Sequence, residues 1–409
     1  MYLRIIYLKN INLFLGALIV MSYILLVSSL EHKVMGDPVF KDPLLKYKII
    51  AEGLSDPTGL VFVDNDILII EKEGKILLLS DQQLAENPIH EFDVNTKSER
   101  GLLGIEYNGR NIFVYLTEIS NGDILKNRVY KFLWNGNKLT NQKLLIDLPA
   151  LPGPNHNGGK LVLEKNSNSS NNDNLYVIIG DLNHRGILQN LDSRDKPDDT
   201  GVILKINSED GSALETNPFS SNPNTAKYFA YGIRNSFGMD FDPLAGKLWN
   251  TENGPSYGDE INLVEPGFNS GWLGIQGMAP ADFHSEQELV NFARRGNYSD
   301  PEFVWTDTVG PTAIKFLQSD KLGKQYENDA FVSDITQGNI YRFDLTNNRT
   351  SLEVEGSLVD KIANNATENS GIIFGEGFGG ISDLEVGPYD GYLYVVSLGH
   401  GAIYRVVPR

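Results

Sequence analysis

One arrangement of residues recurs six times along this chain, and it restricts the fold more than any other feature. Each unit holds a glycine-containing polar step, an apolar strand, a turn of Asp, Asn or Gly, and a second apolar strand. A third strand follows, often of the form Gly-x-Ile-x-Arg/Leu. The first unit runs through residues 57–64, 67–70 and 74–78, and the second through 101–107, 112–116 and 128–132. The third takes 158–163, 174–179 and 201–206, and the fourth 237–241, 247–250 and the strand ending at Leu263. The fifth takes 312–317, 329–332 and 338–343, and the sixth 381–386, 391–396 and 401–406. Short strands separated by turn residues, with little helical patterning between them, exclude a βαβ architecture. Six units over residues 47–407 average about 60 residues, long for a blade of about 40–50 residues, so insertions are expected. The strand at 47–50 precedes the first unit and has no unit of its own. Pairing it into the sixth sheet closes a ring and removes a free edge. The reading is all-β: a six-bladed β-propeller over residues 46–409.

Residues 1–30 stand apart. Arg4 and Lys9 are the charges in this stretch, and residues 11–30 are an uncharged run long enough to span a bilayer. The basic front is that of an export signal, so 1–30 is expected to be a signal peptide or a membrane anchor. Residues 31–45 serve as a linker. The remainder then sits outside the cytoplasm, secreted or anchored, and touches the membrane only through its N-terminal segment. No cysteine occurs, so no disulfide holds the exported domain and no thiolate acts as ligand or nucleophile. The net charge of −18 argues against nucleic acid as a partner and suits a divalent cation. One helix is expected, over 285–295 in the long insertion 266–309, with Ser285 and Glu288 spaced as a capping box.

The chemistry gathers where strands begin and end. His156 stands in Pro152-Gly-Pro-Asn-His-Asn-Gly-Gly-Lys160, a loop whose glycines let backbone approach a ligand. Asp181 ends the following strand. Loops before the first strand and after the second strand of a blade open at one axial end, so His156 and Asp181 are placed to meet. A carboxylate that fixes the imidazole tautomer makes a general base. The competing reading is a loop histidine satisfied by backbone. Arg234 and Asn235 enter the fourth unit, and Glu99 and Arg100 the second, at equivalent positions. Gly254 and Pro255 offer carbonyls and Glu260 a carboxylate to a hard cation such as Ca²⁺. No HExxH spacing occurs, and no GxSxG or P-loop with strand–helix context.

Together these residues resemble the glucose/sorbosone dehydrogenase family, the soluble aldose sugar dehydrogenases dependent on pyrroloquinoline quinone (PQQ). The carriers are Glu99-Arg-Gly-Leu-Leu-Gly104, His156-Asn-Gly-Gly-Lys160, Gly180-Asp181, Gly232-Ile-Arg-Asn235, Glu252-Asn-Gly-Pro255, Gly258-Asp-Glu-Ile-Asn-Leu263 and Asp390-Gly-Tyr-Leu-Tyr-Val395. The resemblance implies a six-bladed propeller that oxidises an aldose at the anomeric carbon to the lactone and passes electrons to an external acceptor. In it His156 resembles the base, Asp181 the carboxylate that orients it, and Arg234 the cation beside the quinone oxygens. Glu99, Asn235 and Lys160 stand as cofactor contacts. Gly254 and Pro255 resemble the carbonyl pair on Ca²⁺, and Glu260 falls in a loop associated with a further calcium.

Departures stand beside the matches. The family often supplies a lysine from the fifth blade and an Arg-x-Arg pair entering the sixth, which meet the carboxylates of the quinone. Here residues 331–338 hold no lysine, Gly380 and Ser382 stand where the arginines would be, and Phe237 replaces a polar residue. Two alternatives follow. One is a non-catalytic propeller of this ancestry that binds glycan or protein. The other is a Ca²⁺-dependent lactonase in which His156 activates water.

Overall fold

The structure is a computed structural model, and it describes residues 36–120, 124–164, 173–186, 189–190, 196–284 and 288–409. The signal or anchor expected at 1–30 lies outside the described residues. The chain divides after Asp37, and the fold below is that of Pro38–Arg409.

The architecture is all-β and propeller-like. The described residues form six sheets, and in each the first three strands pair in chain order. The first strands are Pro57–Val63, Leu102–Tyr107, Leu161–Glu164, Gly238–Phe241, Pro311–Phe316 and Ile381–Val386. Each neighbours the next, and the last returns to the first. Leu45–Glu52 pairs antiparallel with Ala402–Pro408, with Leu45 opposite Pro408 and Glu52 opposite Ala402. The strand without a unit of its own therefore joins the sixth sheet.

Sheets stacked this way have both faces covered, which explains the near-continuous apolar runs. In Asp66–Glu71 the pleat sends alternate side chains to opposite faces. Leu68 and Ile70 pack with Leu102 and Val114 of the second sheet. Ile67 and Ile69 pack with Val396 and Ile403 of the sixth. The core is thus six apolar wedges between neighbouring sheets, where burying each such side chain contributes about 1.5–3 kcal/mol.

Of the helix expected over 285–295, residues 285–287 lie outside the described residues and Glu288 is helical, but the helix does not continue beyond it. Residues 289–295 form bends and turns, and Phe292, Ala293 and Arg294 have φ of 44°, 61° and 65°. Tertiary packing overrides the local pattern: the Phe292 ring lies 4.7 Å from that of Tyr231, and Tyr231 Oη donates to the Val290 carbonyl at 2.5 Å.

At the ring centre the filling is ionic. Lys160 Nζ lies 2.7 Å from Asp383 Oδ1 and 3.3 Å from Glu385 Oε1. Lys315 Nζ lies 2.7 Å from Glu385 Oε2 and 3.5 Å from Asp240 Oδ1. Burial and the Glu385 charge push the Glu106 carboxyl up to about 7. Burial alone would lower the Lys160 ammonium; the facing Asp383 and Glu385 carboxylates hold it above the usual lysine range.

Candidate active site

The loop carrying His156 turns back on itself, and His156 itself has a left-handed φ of 64°. Its backbone N–H donates to Glu99 Oε2 at 2.5 Å, which ties the loop to the entry of the second sheet. Its Nδ1 lies 2.5 Å from Asp181 Oδ1. Asp181 follows the strand Asn174–Ile179. Its Oδ1 also accepts from the Asn183 N–H at 3.0 Å and its Oδ2 from Trp272 Nε1 at 2.7 Å. Burial pushes this carboxyl up, but the His156 ring, Trp272 and the Asn183 amide outweigh it and hold Asp181 below the usual range. A stable carboxylate on Nδ1 leaves Nε2 as the working nitrogen. His156 borders a cleft of about 570 Å³ together with Arg234, Pro255, Tyr257 and Trp272.

Gly180 lets the loops meet. A Cβ there would lie 2.6 Å from both the His156 and the Arg234 carbonyl oxygens, so backbone from two sheet entries closes on it from either side. Arg234 Nη1 donates to the carbonyls of Asn253 at 2.7 Å and Gly254 at 3.1 Å. Its guanidinium lies 5.3 Å from the Trp272 ring, a stacking distance. Burial lowers its pKa, yet an arginine stays charged in proteins. Its Nε is buried without a partner.

The remaining expected residues fall in two groups. Glu99, Asn235 and Lys160 line a second cavity of about 410 Å³ at the ring centre. Glu99 Oε2 accepts from Asn235 Nδ2 at 3.3 Å as well as from the His156 N–H, which ties the cavity lining to the His156 loop. Lys160 borders the cavity, but its charge is already met by Asp383. Glu260 lies away from both, directly opposite Glu252 on the paired strand. Its Oε1 accepts from the Gly277 N–H at 2.6 Å.

Calcium does not fit where the sequence places it. The Gly254 carbonyl is bound to a guanidinium, and a dication at that oxygen would stand against Arg234. Among the described residues no group of three or more His, Asp or Glu side chains forms a metal cage. The tricarboxylate quinone also lacks its cations. Gly380 has a φ of 81°, and a Cβ there would meet the Ile335 carbonyl at 2.8 Å, so the position excludes a long cationic side chain. The Ser382 hydroxyl is bonded to the Pro57 carbonyl at 2.7 Å. Of the other cations the sequence offers to such a guest, Arg100 binds the Ala150 carbonyl at 2.6 Å, Lys160 and Lys315 are paired inside the ring, and Arg185 borders the His156 cleft. The expected clamp is thus absent, and Arg185 and Arg234 are the cations that border the His156 cleft.

Trp272 is a site residue that the sequence reading passes over. It lies in the insertion, outside the repeat. Its signal was chemical: a tryptophan among polar loop residues needs a partner for its N–H once buried, and Asp181 is that partner.

Fold and site together define a propeller-like protein with a buried imidazole–carboxylate pair beside a cleft. The chain belongs to the glucose/sorbosone dehydrogenase family, whose sequence profile matches residues 54–405. Its relatives are sugar dehydrogenases, which are oxidoreductases. The aldose sugar dehydrogenase YliI of Escherichia coli is 30% identical over 268 residues, 64% of this chain and 62% of the relative. The fold matches the soluble aldose sugar dehydrogenase of Escherichia coli in its apo form with a TM-score of 0.69 and 23% identity, over 89% of this chain and 100% of that one. It also matches the PQQ-bound aldose sugar dehydrogenase of Streptomyces coelicolor with a TM-score of 0.63 and 20% identity, over 89% and 98%.

The facing carboxyls make a pH prediction. Burial raises the pKa of Glu252, and burial with the Glu252 charge raises that of Glu260. A carboxyl whose folded pKa exceeds its unfolded value binds its proton more tightly when folded. Its stabilising contribution is complete below the ordinary glutamate range and is lost as pH rises through the folded pKa. Glu252→Gln keeps an acceptor for the Arg234 N–H and removes the charge. It is expected to raise stability at pH 8 by about 1–3 kcal/mol and to change it little at pH 5. Denaturant melts at the two pH values check this, and an equal change at both would refute it.

Proposed function

We propose that this chain is a six-bladed propeller enzyme that oxidises an aldose sugar at its anomeric carbon to the lactone, outside the cytoplasm. What carries the reading is the 2.5 Å contact between His156 Nδ1 and Asp181, beside a cleft that His156 and Arg234 both border. His156 Nε2 takes the proton of the anomeric hydroxyl. Asp181 keeps the opposite nitrogen protonated and steadies the imidazolium that forms. Arg234, its Nε unpaired, faces the oxygen on which charge develops. A bound oxidised quinone would supply the acceptor for the C–H hydrogen and its electron pair, and an external acceptor would take the electrons from it. The uncharged run at 11–30 supports an extracytoplasmic setting. The family relationship and the exposed Tyr257 ring at the cleft support a sugar as substrate.

The test is turnover of the purified protein with a panel of aldoses, a quinone and a reducible dye, with lactone measured directly. Dye reduction matched by lactone is expected. Lactone formation from no aldose would overturn the reading. Hydrolysis of glucono-δ-lactone without any quinone would replace it with a hydrolase, and unchanged sugar bound without turnover with a binding protein.

A further inference from the structure

We propose that Trp272 is the positioning residue of this site: its indole N–H sets the Asp181 carboxylate, and its ring face sets the Arg234 guanidinium. The inference rests on the proposed oxidation for what the two groups do, but not for how they are held.

The insertion that carries Trp272 is stitched to the segments behind both groups. Its backbone N–H donates to the Gly232 carbonyl at 3.1 Å, two residues before Arg234. Its carbonyl accepts from Asn190 Nδ2 at 2.7 Å, on the segment that follows Asp181. The backbone is thus fixed on two sides, and the residue, 7% exposed, borders the cleft.

From there the indole meets the carboxylate and the cation at once. Nε1 donates to Asp181 Oδ2 at 2.7 Å, and the Arg234 guanidinium lies 5.3 Å from the ring. The two carboxylate oxygens have different tasks. Oδ1 faces His156 Nδ1 and the Asn183 N–H. Oδ2 has Trp272 as its partner among the described residues. Asp181 is 3% exposed, so loss of the indole N–H would leave one oxygen of a buried anion unpaired. The ring face in turn steadies Arg234 by a cation–π contact and leaves Nη1 on the Asn253 and Gly254 carbonyls. Tryptophan combines a broad ring face with an N–H that only donates, and this position uses both.

Two variants separate the N–H from packing. Trp272→Phe keeps a ring for Arg234 and removes the donor. 3-Benzothienylalanine in place of Trp272 keeps the bicyclic shape and removes only the N–H. The charged groups around Asp181 are His156, Arg234 and Glu252, with His184 and Arg185 on the loop after it. Neither variant removes any of them. The readout is the NMR titration of the His156 imidazole in the full chain, with His156→Asn to assign its signal. Removing a donor makes the carboxylate more basic, so the imidazolium is held more tightly. The His156 midpoint is expected to move up by about half to one pH unit in both variants. Those of His90 and His400, near the first and sixth sheets, should stay put. In turnover, kcat for an aldose should fall about tenfold with KM little changed. An unmoved His156 midpoint would overturn the proposal, as would an equal movement of every histidine, the mark of general loosening. A moved midpoint in a chain that oxidises no aldose would sink the proposed function and leave the positioning by Trp272 standing.

Discussion

His156→Asn is expected to lower kcat for aldose oxidation by about 10²–10⁴-fold, the range for loss of a positioned general base. Asparagine is close to the size of the ring's proximal half and keeps a polar atom for Asp181, so the loop has reason to stay in place. The backbone N–H that holds the loop to Glu99 is untouched. KM should move little, because the imidazole works on a proton in flight and contributes little to holding the sugar. Asp181→Asn serves as the companion variant. It leaves the ring in position but removes the acceptor that fixes the tautomer, and its loss should approach that of the histidine variant, since the two act as a unit. Steady-state kinetics with thermal melts as a control decide the matter. A His156→Asn enzyme within about threefold of the parent in kcat would show that the base lies elsewhere.

The second large effect comes from a residue with no side chain. Gly180→Ala places a methyl group 2.6 Å from two carbonyl oxygens, one of His156 and one of Arg234. Neither belongs to a flexible side-chain end, so backbone must move. Overpacking of this kind costs about 1–3 kcal/mol. The displaced segments carry the base and the cation, and misplacement by about 1 Å lowers turnover by about 10²-fold. The variant should therefore lose both stability and activity. An alanine at the exposed Gly371, where a Cβ would meet only the Glu368 carbonyl at 3.5 Å, should lose neither to that extent. Parent-like melting and turnover in Gly180→Ala would mean the two loops are not pressed against one another as described.

Much of this was legible in the residues because the repeat constrains them. A strand buried on both faces, such as Asp66–Glu71, must be apolar nearly throughout, and its turns must carry Gly, Asp or Asn. The order of strands then fixes which loops share an end, and that placed His156 against Asp181, and Arg234 at the same end as His156. Three things were hidden. The outer strands, such as Leu139–Pro149, are half exposed and carry no repeating signature. The Trp272 contact crosses from an insertion with no counterpart in other units. Partner choice inside the ring was also illegible. Lys160 reads as a free cation in the sequence, and only the placement of Asp383 beside it, 223 residues away, shows that its charge is taken. The same holds for the Gly254 carbonyl, which reads as a ligand and is bound by Arg234.

The pairing of Leu45–Glu52 with Ala402–Pro408 has a consequence for how the molecule is made. Residues at the two ends of the domain must find each other before the circle is complete, and confining a chain of that span costs about 5 kcal/mol in loop entropy. Until the last strand leaves the ribosome or the export channel, the nascent protein is an open fan with an unsatisfied edge at each side. Removal of only the final strand would trap it in that form, prone to stick to its own copies.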